Sequence, residues 1–513
     1  MSKSKSNETR YAIELKEISK MFGSVVANES INLNIKYGEI LALLGENGSG
    51  KTTLMNMLSG IYYPDAGTMS IAGKEVTISS PAEAIDFSIG MIHQHFKLVE
   101  VLNAMDNIVL GTRGKYLKPK ILKEKILEIS NKFGLEIEPE KKIYNMSVSE
   151  KQTVEIMKVL YRGAQILILD EPTAVLTPQE TDKLFAILRK MKEQGSAIII
   201  ITHKLHEVLT ISDRVAILRK GHLIDTVETT ETNENQLTEL MVGRPVSLKI
   251  DRPNVIGKNT ILNVVDLSVV NDDGTVGLKN INFKLKSGEI LGVAGIAGSG
   301  QKELCESIAG LTTANKGAVL YNKENIIGKT PDEIINLGIS MSFVPEDRLG
   351  MGLVGSMGMV ENMMLKSYKN NKGFFIDNKP ARKLSEELVK KLDIVTPTVD
   401  TPVRMMSGGN VQKVLLGREI ESNPNVLITA YPVRGLDINS SYIIYDLLNE
   451  QKKNNVAILF IGEDLDVLLE LSDRIMVLCH GEMKGIVDAT ETTKEELGLM
   501  MTGRSLEGIS LYE

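Results

Sequence analysis

The octapeptide GENGSGKT at 45–52 has the spacing GxxxxGK[ST] and lies between an apolar run, EILALLG, and a helical pattern, KTTLMNMLSG. That context reads as a phosphate-binding loop. Gly45, Gly48 and Gly50, with Glu46, Asn47 and Ser49 between them, let backbone N–H groups curl around phosphate oxygens, and the helix opening at Lys51, Thr52 and Thr53 adds its dipole. A lysine at this place reaches the β- and γ-phosphates of a nucleotide, and the Thr52 hydroxyl is a ligand for Mg²⁺. The run ILILDEP at 166–172 supplies a buried strand ending in two carboxylates. Asp170 is placed to hold the same ion and Glu171 to orient or deprotonate an attacking water. Each motif alone has a plainer reading, a glycine-rich turn in one case and a helix cap in the other. Together they point to nucleotide hydrolysis.

The chain also repeats itself. GEILALLGENGSG (38–50) returns as GEILGVAGIAGSG (288–300), MSVSEKQ (146–152) as MSGGNVQ (406–412), SDRVAIL (212–218) as SDRIMVL (472–478), and MVGR (241–244) as MTGR (501–504). The first pair is offset by 250 and the others by 260, so about 10 residues enter the second copy, expected near LGMGLVGSMGM (349–359). The copies differ in their chemistry. GIAGSGQK (295–302) puts Gln301 for Lys51 and Lys302 for Thr52, and ITAYP (428–432) puts Ala430 for Asp170 and Tyr431 for Glu171.

These motifs in combination resemble the nucleotide-binding subunits of ABC transporters, over essentially the whole chain. The resemblance implies ATP and Mg²⁺ as ligands. It implies that Gln94 in MIHQHF (91–96) senses Mg²⁺ and the γ-phosphate, that His203 in ITHK (201–204) contacts the γ-phosphate, and that Phe22 in KMFG (20–23) stacks on adenine. Taken singly, such a phenylalanine is more often core and such a histidine a polar cap, and the HQH pair lacks the further ligands a metal centre needs. In the second half Glu463 of FIGEDL replaces His203 and Asp272 replaces Phe22, and a carboxylate near a γ-phosphate is repulsive. The signature segments reverse this order. MSGGN (406–410) is similar to the family's LSGGQ, with Ser407, Gly408 and Gly409 opening a helix, whereas MSVSE (146–150) carries Val148 and Ser149 in place of the glycines. Family members close two domains head to tail. The resemblance therefore implies one competent site, in which Ser407, Gly408 and Gly409 complete the Lys51 cradle, and one degenerate site.

The elements that must position these groups follow from the pattern. Near-continuous apolar runs (EILALLG, AQILILD, AIIIIT) alternate with helical periods such as ETDKLFAILRKMKEQ, which argues for parallel strands covered on both faces. The expected fold is α/β: two tandem P-loop NTPase domains, each a mostly parallel sheet with flanking helices, to which the resemblance adds a helical and an antiparallel β subdomain. Domain 1 is expected at 1–247, a linker at 248–259 and domain 2 at 260–513. The net charge of −7 offers no basic field for nucleic acid, and two cysteines, Cys305 and Cys479, are too few for a disulfide framework. The densest apolar runs are far shorter than the roughly 20 residues of a bilayer crossing. The expectation is a peripheral protein on the cytoplasmic face of the membrane, without direct membrane insertion. Its partners would be integral-membrane permease subunits, meeting 95–111 and 344–365, and indirectly a solute-binding protein. RGLD (434–437) resembles the carbohydrate and nucleoside uptake branch, and within it IHQHFKL and TPVRMMSGGNVQK (401–413) look closer to nucleoside importers than to ribose or galactose importers. A soluble tandem ATPase acting on ribosomes or nucleic acid would keep both sites intact and carry a long charged linker, and a scaffold would have a broken first cradle.

Overall fold

The computed structural model describes residues 11–503 apart from 24, 94–95, 113–117, 175, 246–247, 256–258, 272–273, 337–340, 346–347 and 368–376. Gln94 and Asp272, with the roles expected of them, and residues 346–347 of the stretch 344–365 lie outside the described residues. Contacts divide the chain into two units, Met1–Ser247 and Leu248–Glu513.

In the first unit a six-stranded sheet runs His222–Glu228, Arg214–Arg219, Ile40–Leu44, Ala197–Ile201, Ile166–Asp170, Ile89–Ile92, parallel except for the first strand. Ile40–Leu44 and Ala197–Ile201 are buried at every position, and separate apolar clusters cover the two faces of the sheet. That is why these runs do not alternate in polarity. Their register sets Leu43 beside Ile201 and Ile201 beside Asp170, so the C-terminal ends of three strands share one edge. Ligands of open parallel sheets bind at that edge. A four-stranded antiparallel sheet, Val25–Lys36, Tyr11–Phe22, Ala66–Ile71 and Lys74–Val76, forms a second layer. The helices Ala104–Val109, Pro119–Phe133 and Val148–Tyr161 make the helical part.

The second unit repeats this plan, with its antiparallel and parallel strands joined into one ten-stranded sheet through the single pair Lys279 and Glu482. The extra residues of the second copy enter in more than one place. Helices begin at Pro81 and Pro331, offset 250; buried Asn107 and Asn362 make matching bonds at offset 255; the caps Ser147 and Ser407 stand at offset 260. Growth is thus shared between the segment before Asn362 and the segment after it, not confined to 349–359.

The described part of the expected linker, 248–259, packs on the second unit. Tyr442 Oη donates to the Leu248 carbonyl at 2.9 Å, Asn449 Nδ2 to the Asp251 carbonyl at 3.3 Å, and Arg252 to the carbonyls of Leu469 and Ser472, while Ile250 is buried in the second unit's core. Among the described residues no helix is long and apolar enough to cross a membrane.

Candidate active site

Strand Ile40–Leu44 ends into the glycine loop, and Lys51 opens the helix Lys51–Leu58. Gly50 caps that helix at φ +100°, and a Cβ there would stand 2.2 Å from the Ala27 carbonyl oxygen, so only glycine fits. The Lys51 ammonium donates to the carbonyls of Gly45 at 2.7 Å and Glu46 at 3.0 Å, holding the loop open from within. Burial pushes its pKa below the ordinary lysine value, against the opposing pull of Glu171, Asp170 and Glu46. Ser49 Oγ is buried without a hydrogen-bond partner among the described residues. Thr52 is exposed, one residue beyond Lys51.

Asp170 closes strand Ile166–Asp170, and its carboxyl is pushed above the ordinary range, first by burial and then by Glu171, with Lys51 pulling it back. Glu171 follows at φ +49°, an uncommon conformation for glutamate, fixed by its own N–H donating to the Ile201 carbonyl at 2.8 Å. Its Oε1 meets His203 Nδ1 at 2.9 Å, and its Oε2 is buried with no hydrogen-bond partner among the described residues. The His203 ring is largely exposed. Lys51, Asp170, Glu171 and His203 are therefore one cluster at the strand ends. A half-buried cation and a half-buried acid are held with their charged forms disfavoured, beside a carboxylate oxygen left unbonded among the described residues. Such a donor set fits a metal-bound polyphosphate, whose charges would relieve both groups and whose water would satisfy Oε2.

Phe22 ends strand Tyr11–Phe22, is partly exposed, and meets Tyr62 edge-on with ring centres 5.1 Å apart. Tyr62 was not singled out by sequence reasoning. Its signal, an aromatic shortly after the phosphate-loop helix, has no local rule that marks it.

The second unit keeps this backbone and changes the side chains. Gly298 and Gly300 reproduce the φ of Gly48 and Gly50, and Tyr431 reproduces that of Glu171. Gln301 is buried and donates through Nε2 to the Ile296 carbonyl at 3.1 Å, the counterpart of one of the two lysine bonds. It thus retains the loop-holding part of the lysine's work and drops the charge. Lys302 is mostly exposed and its ammonium lies 3.8 Å from Glu306. Glu463 is paired with Arg434 at 3.2 Å, and the guanidinium sits 5.7 Å from the Tyr431 ring centre. Sequence reasoning noted Glu463 but not the cation that balances it.

The two signature helices start differently. Ser407 caps Gly408–Glu421, accepting from the Asn410 N–H and from Asn410 Nδ2. No acid stands in the first turn of this helix, and a Cβ built on Gly409 would meet Leu436 at 3.5 Å, an ordinary contact. Ser147 caps Val148–Tyr161 in a capping box: Glu150 returns its carboxylate to the Ser147 N–H at 2.7 Å and is paired with Lys141. An acid of the chain's own thus already bonds the backbone at this helix start, where the second unit has Asn410. Glu150 was also missed, because sequence reasoning stopped at the absent glycines.

The sequence model of the ABC transporter family matches residues 28–174 and 278–432, one match in each unit. The chain is 42% identical to the nucleoside import ATP-binding protein NupA of Lactococcus lactis subsp. cremoris, over 98% of this chain and 99% of that one. It is 42% identical to the guanosine import ATP-binding protein NupO of Bacillus subtilis, over 96% and 98% respectively. It is 37% identical to the glucose import ATP-binding protein TsgD13 of Haloferax volcanii, over 96% of each. Family matches in both units, and relatives aligned along nearly the full length, make this chain a member of the ABC transporter family, an ATP-binding protein with two cassettes in one polypeptide.

Proposed function

We propose that the chain is the ATP-hydrolysing subunit of a nucleoside importer, acting at the cytoplasmic face of the membrane through separate permease subunits that in turn receive solute from a binding protein. Two relatives that act on nucleosides, each aligned at 42% identity over nearly all of both chains, support the substrate class. The glucose-import relative at 37% supports a sugar importer as the second reading.

The observation that carries the chemistry is the cluster Lys51, Asp170, Glu171, His203, intact in the first unit and replaced residue by residue in the second. In this reading Lys51 leaves the carbonyls of Gly45 and Glu46 for the β- and γ-phosphate oxygens, as the loop amides take up the phosphates. Glu171 uses its unbonded Oε2 to orient the attacking water, and His203, already tied to Oε1, faces the γ-phosphate. Thr52, Asp170 and Gln94 would hold Mg²⁺, which supplies charge neutralisation of the phosphate oxygens when bound. Phe22, braced by Tyr62, receives the base. Ser407, Gly408 and Gly409 bring the glycine signature to the same γ-phosphate.

Uptake of labelled nucleosides, pentoses and hexoses in cells lacking this subunit tests the substrate. Selective loss of nucleoside uptake supports the reading, and selective loss of sugar uptake replaces it with the second.

A further inference from the structure

A polar seam runs along the first-unit signature helix Val148–Tyr161. Lys151, Glu155, Lys158 and, at the C-cap, Arg162 recur at i, i+4, i+7 and i+11, a spacing that stacks side chains on one face. All four grip the segment that follows Gln94. Lys151 Nζ lies 3.0 Å from Glu100 Oε1, Glu155 Oε1 accepts the Lys97 N–H at 2.6 Å, Lys158 Nζ donates to the Lys97 carbonyl at 2.8 Å, and Arg162 Nη2 donates to the Leu110 carbonyl at 2.7 Å. Lys97 is therefore held at both its backbone donor and its acceptor. Glu155 is buried, and the Lys158 ammonium 3.7 Å away balances its charge.

The second unit builds the same place differently. Val411, Leu415, Arg418 and Ser422 stand at the four positions. Leu415 lies against Gly352, the counterpart of Lys97 at the offset of 255, so closely that a Cβ on Gly352 would come within 2.8 Å of it. Arg418 turns to Glu419 at 2.7 Å, which also pairs with Lys366 at 2.9 Å. Apolar contacts tolerate sliding, whereas charge-assisted hydrogen bonds are directional, and the one made by buried Glu155 is costly to leave unmade.

We propose that this seam is the rigid link between the first unit's signature helix and segment 97–110, with Glu155 and Lys158 as positioning residues that couple ATP turnover to import. The inference rests on the reading that this segment meets the permease. None of the four side chains belongs to the phosphate cradle, so breaking the link separates transport from hydrolysis.

The test is solute imported per ATP hydrolysed by the chain reconstituted with its permease in vesicles. Glu155→Leu combined with Lys158→Met lowers that ratio about fivefold while ATP turnover stays within about twofold of wild type. Glu155→Gln keeps an acceptor for the Lys97 N–H and keeps the ratio near wild type. Apolar replacement of a buried ion pair is often tolerated; the unfolding midpoint checks this, and Arg162→Leu, which removes the Leu110 contact and a charge acting on Glu155, is a second variant expected to lower the ratio. Import and turnover falling in equal proportion, or an unchanged ratio in both variants, overturns the proposal. Val101→Glu, at a residue 69% exposed on the same segment, separates the two readings. If it leaves permease binding and import intact, the docking assignment fails; if it abolishes binding while the seam variants keep the ratio, the link fails.

Discussion

At the scale of the residue, the contrast between Lys51 and Gln301 is the sharpest in the molecule, because both side chains brace the same loop and only one is charged. Lys51→Ala removes the cation from the phosphates and lowers ATP turnover by about a hundredfold or more, as loss of one electrostatic contact to a developing charge does. Gln301→Ala changes turnover by less than about twofold, because a single neutral bond to Ile296 is at stake. Steady-state ATPase assays on the two variants decide. Asp170 makes a second, opposite prediction. Its folded pKa is raised, so its ionised form is disfavoured in the nucleotide-free protein. That penalty is absent below the unfolded pKa, grows as pH rises through the window up to the folded value, and is complete above it. Asp170→Asn therefore raises the first unit's thermal midpoint at neutral pH by about 2–4 °C while abolishing most turnover, and the gain disappears in acid. That Lys51, Asp170 and Glu171 would gather at one place was legible in the sequence because phosphate-binding chemistry constrains residue type and spacing. Tyr62 and Arg434 were not, because each gains its meaning from a neighbour that only folding supplies.

At the scale of the element, strands were legible wherever burial on both faces removed polar alternation, as in AIIII at 197–201. The attachment of 248–255 was not, since Leu248, Asp251 and Arg252 find their partners roughly 200 residues away, at Tyr442, Asn449 and Leu469. The capping box on the first signature helix could have been read from SVSE at 147–150, a serine followed three residues later by a glutamate. Desolvation works to raise the Glu150 pKa, but Lys141 and the Ser147 N–H outweigh it and hold the carboxyl below its ordinary value. Its stabilisation is thus present above the unfolded pKa and lost as pH falls through the folded one. Glu150→Asn, which copies Asn410, destabilises the first unit by about 1 kcal/mol at neutral pH. The gap to wild type narrows below about pH 4, the ordinary glutamate range. Urea unfolding at two pH values measures it, and ATP turnover at the Lys51 cradle stays near wild type.

At the scale of the whole molecule, the repeat and its two unequal copies were readable from self-comparison alone, since each copy retains glycine where the backbone needs it, at Gly48 and Gly298 as at Gly50 and Gly300. What one copy would supply to the other came from the family resemblance alone, because the sequence carries no distance between them. The defects nonetheless sort. The unit with Lys51, Glu171 and His203 has a signature helix that starts in the Glu150 capping box, and the unit with Gln301 and Tyr431 has one that starts on Ser407 and two glycines with no acid in its first turn. If the first cradle works with the second signature, Ser407→Arg places a bulky cation where a hydroxyl and two glycines receive the γ-phosphate, and turnover falls by about a hundredfold even though residue 407 is far from residue 51 in sequence. Ser147→Arg removes a helix cap worth about 1 kcal/mol and leaves turnover at moderate temperature within about twofold of wild type. The reverse ranking, Ser147→Arg inactive and Ser407→Arg active, would mean that each unit completes its own site and that the sorting of defects has another cause. ATPase measured on both variants well below their unfolding midpoints distinguishes the two architectures, because stability then no longer contributes and only the ownership of the γ-phosphate contact remains.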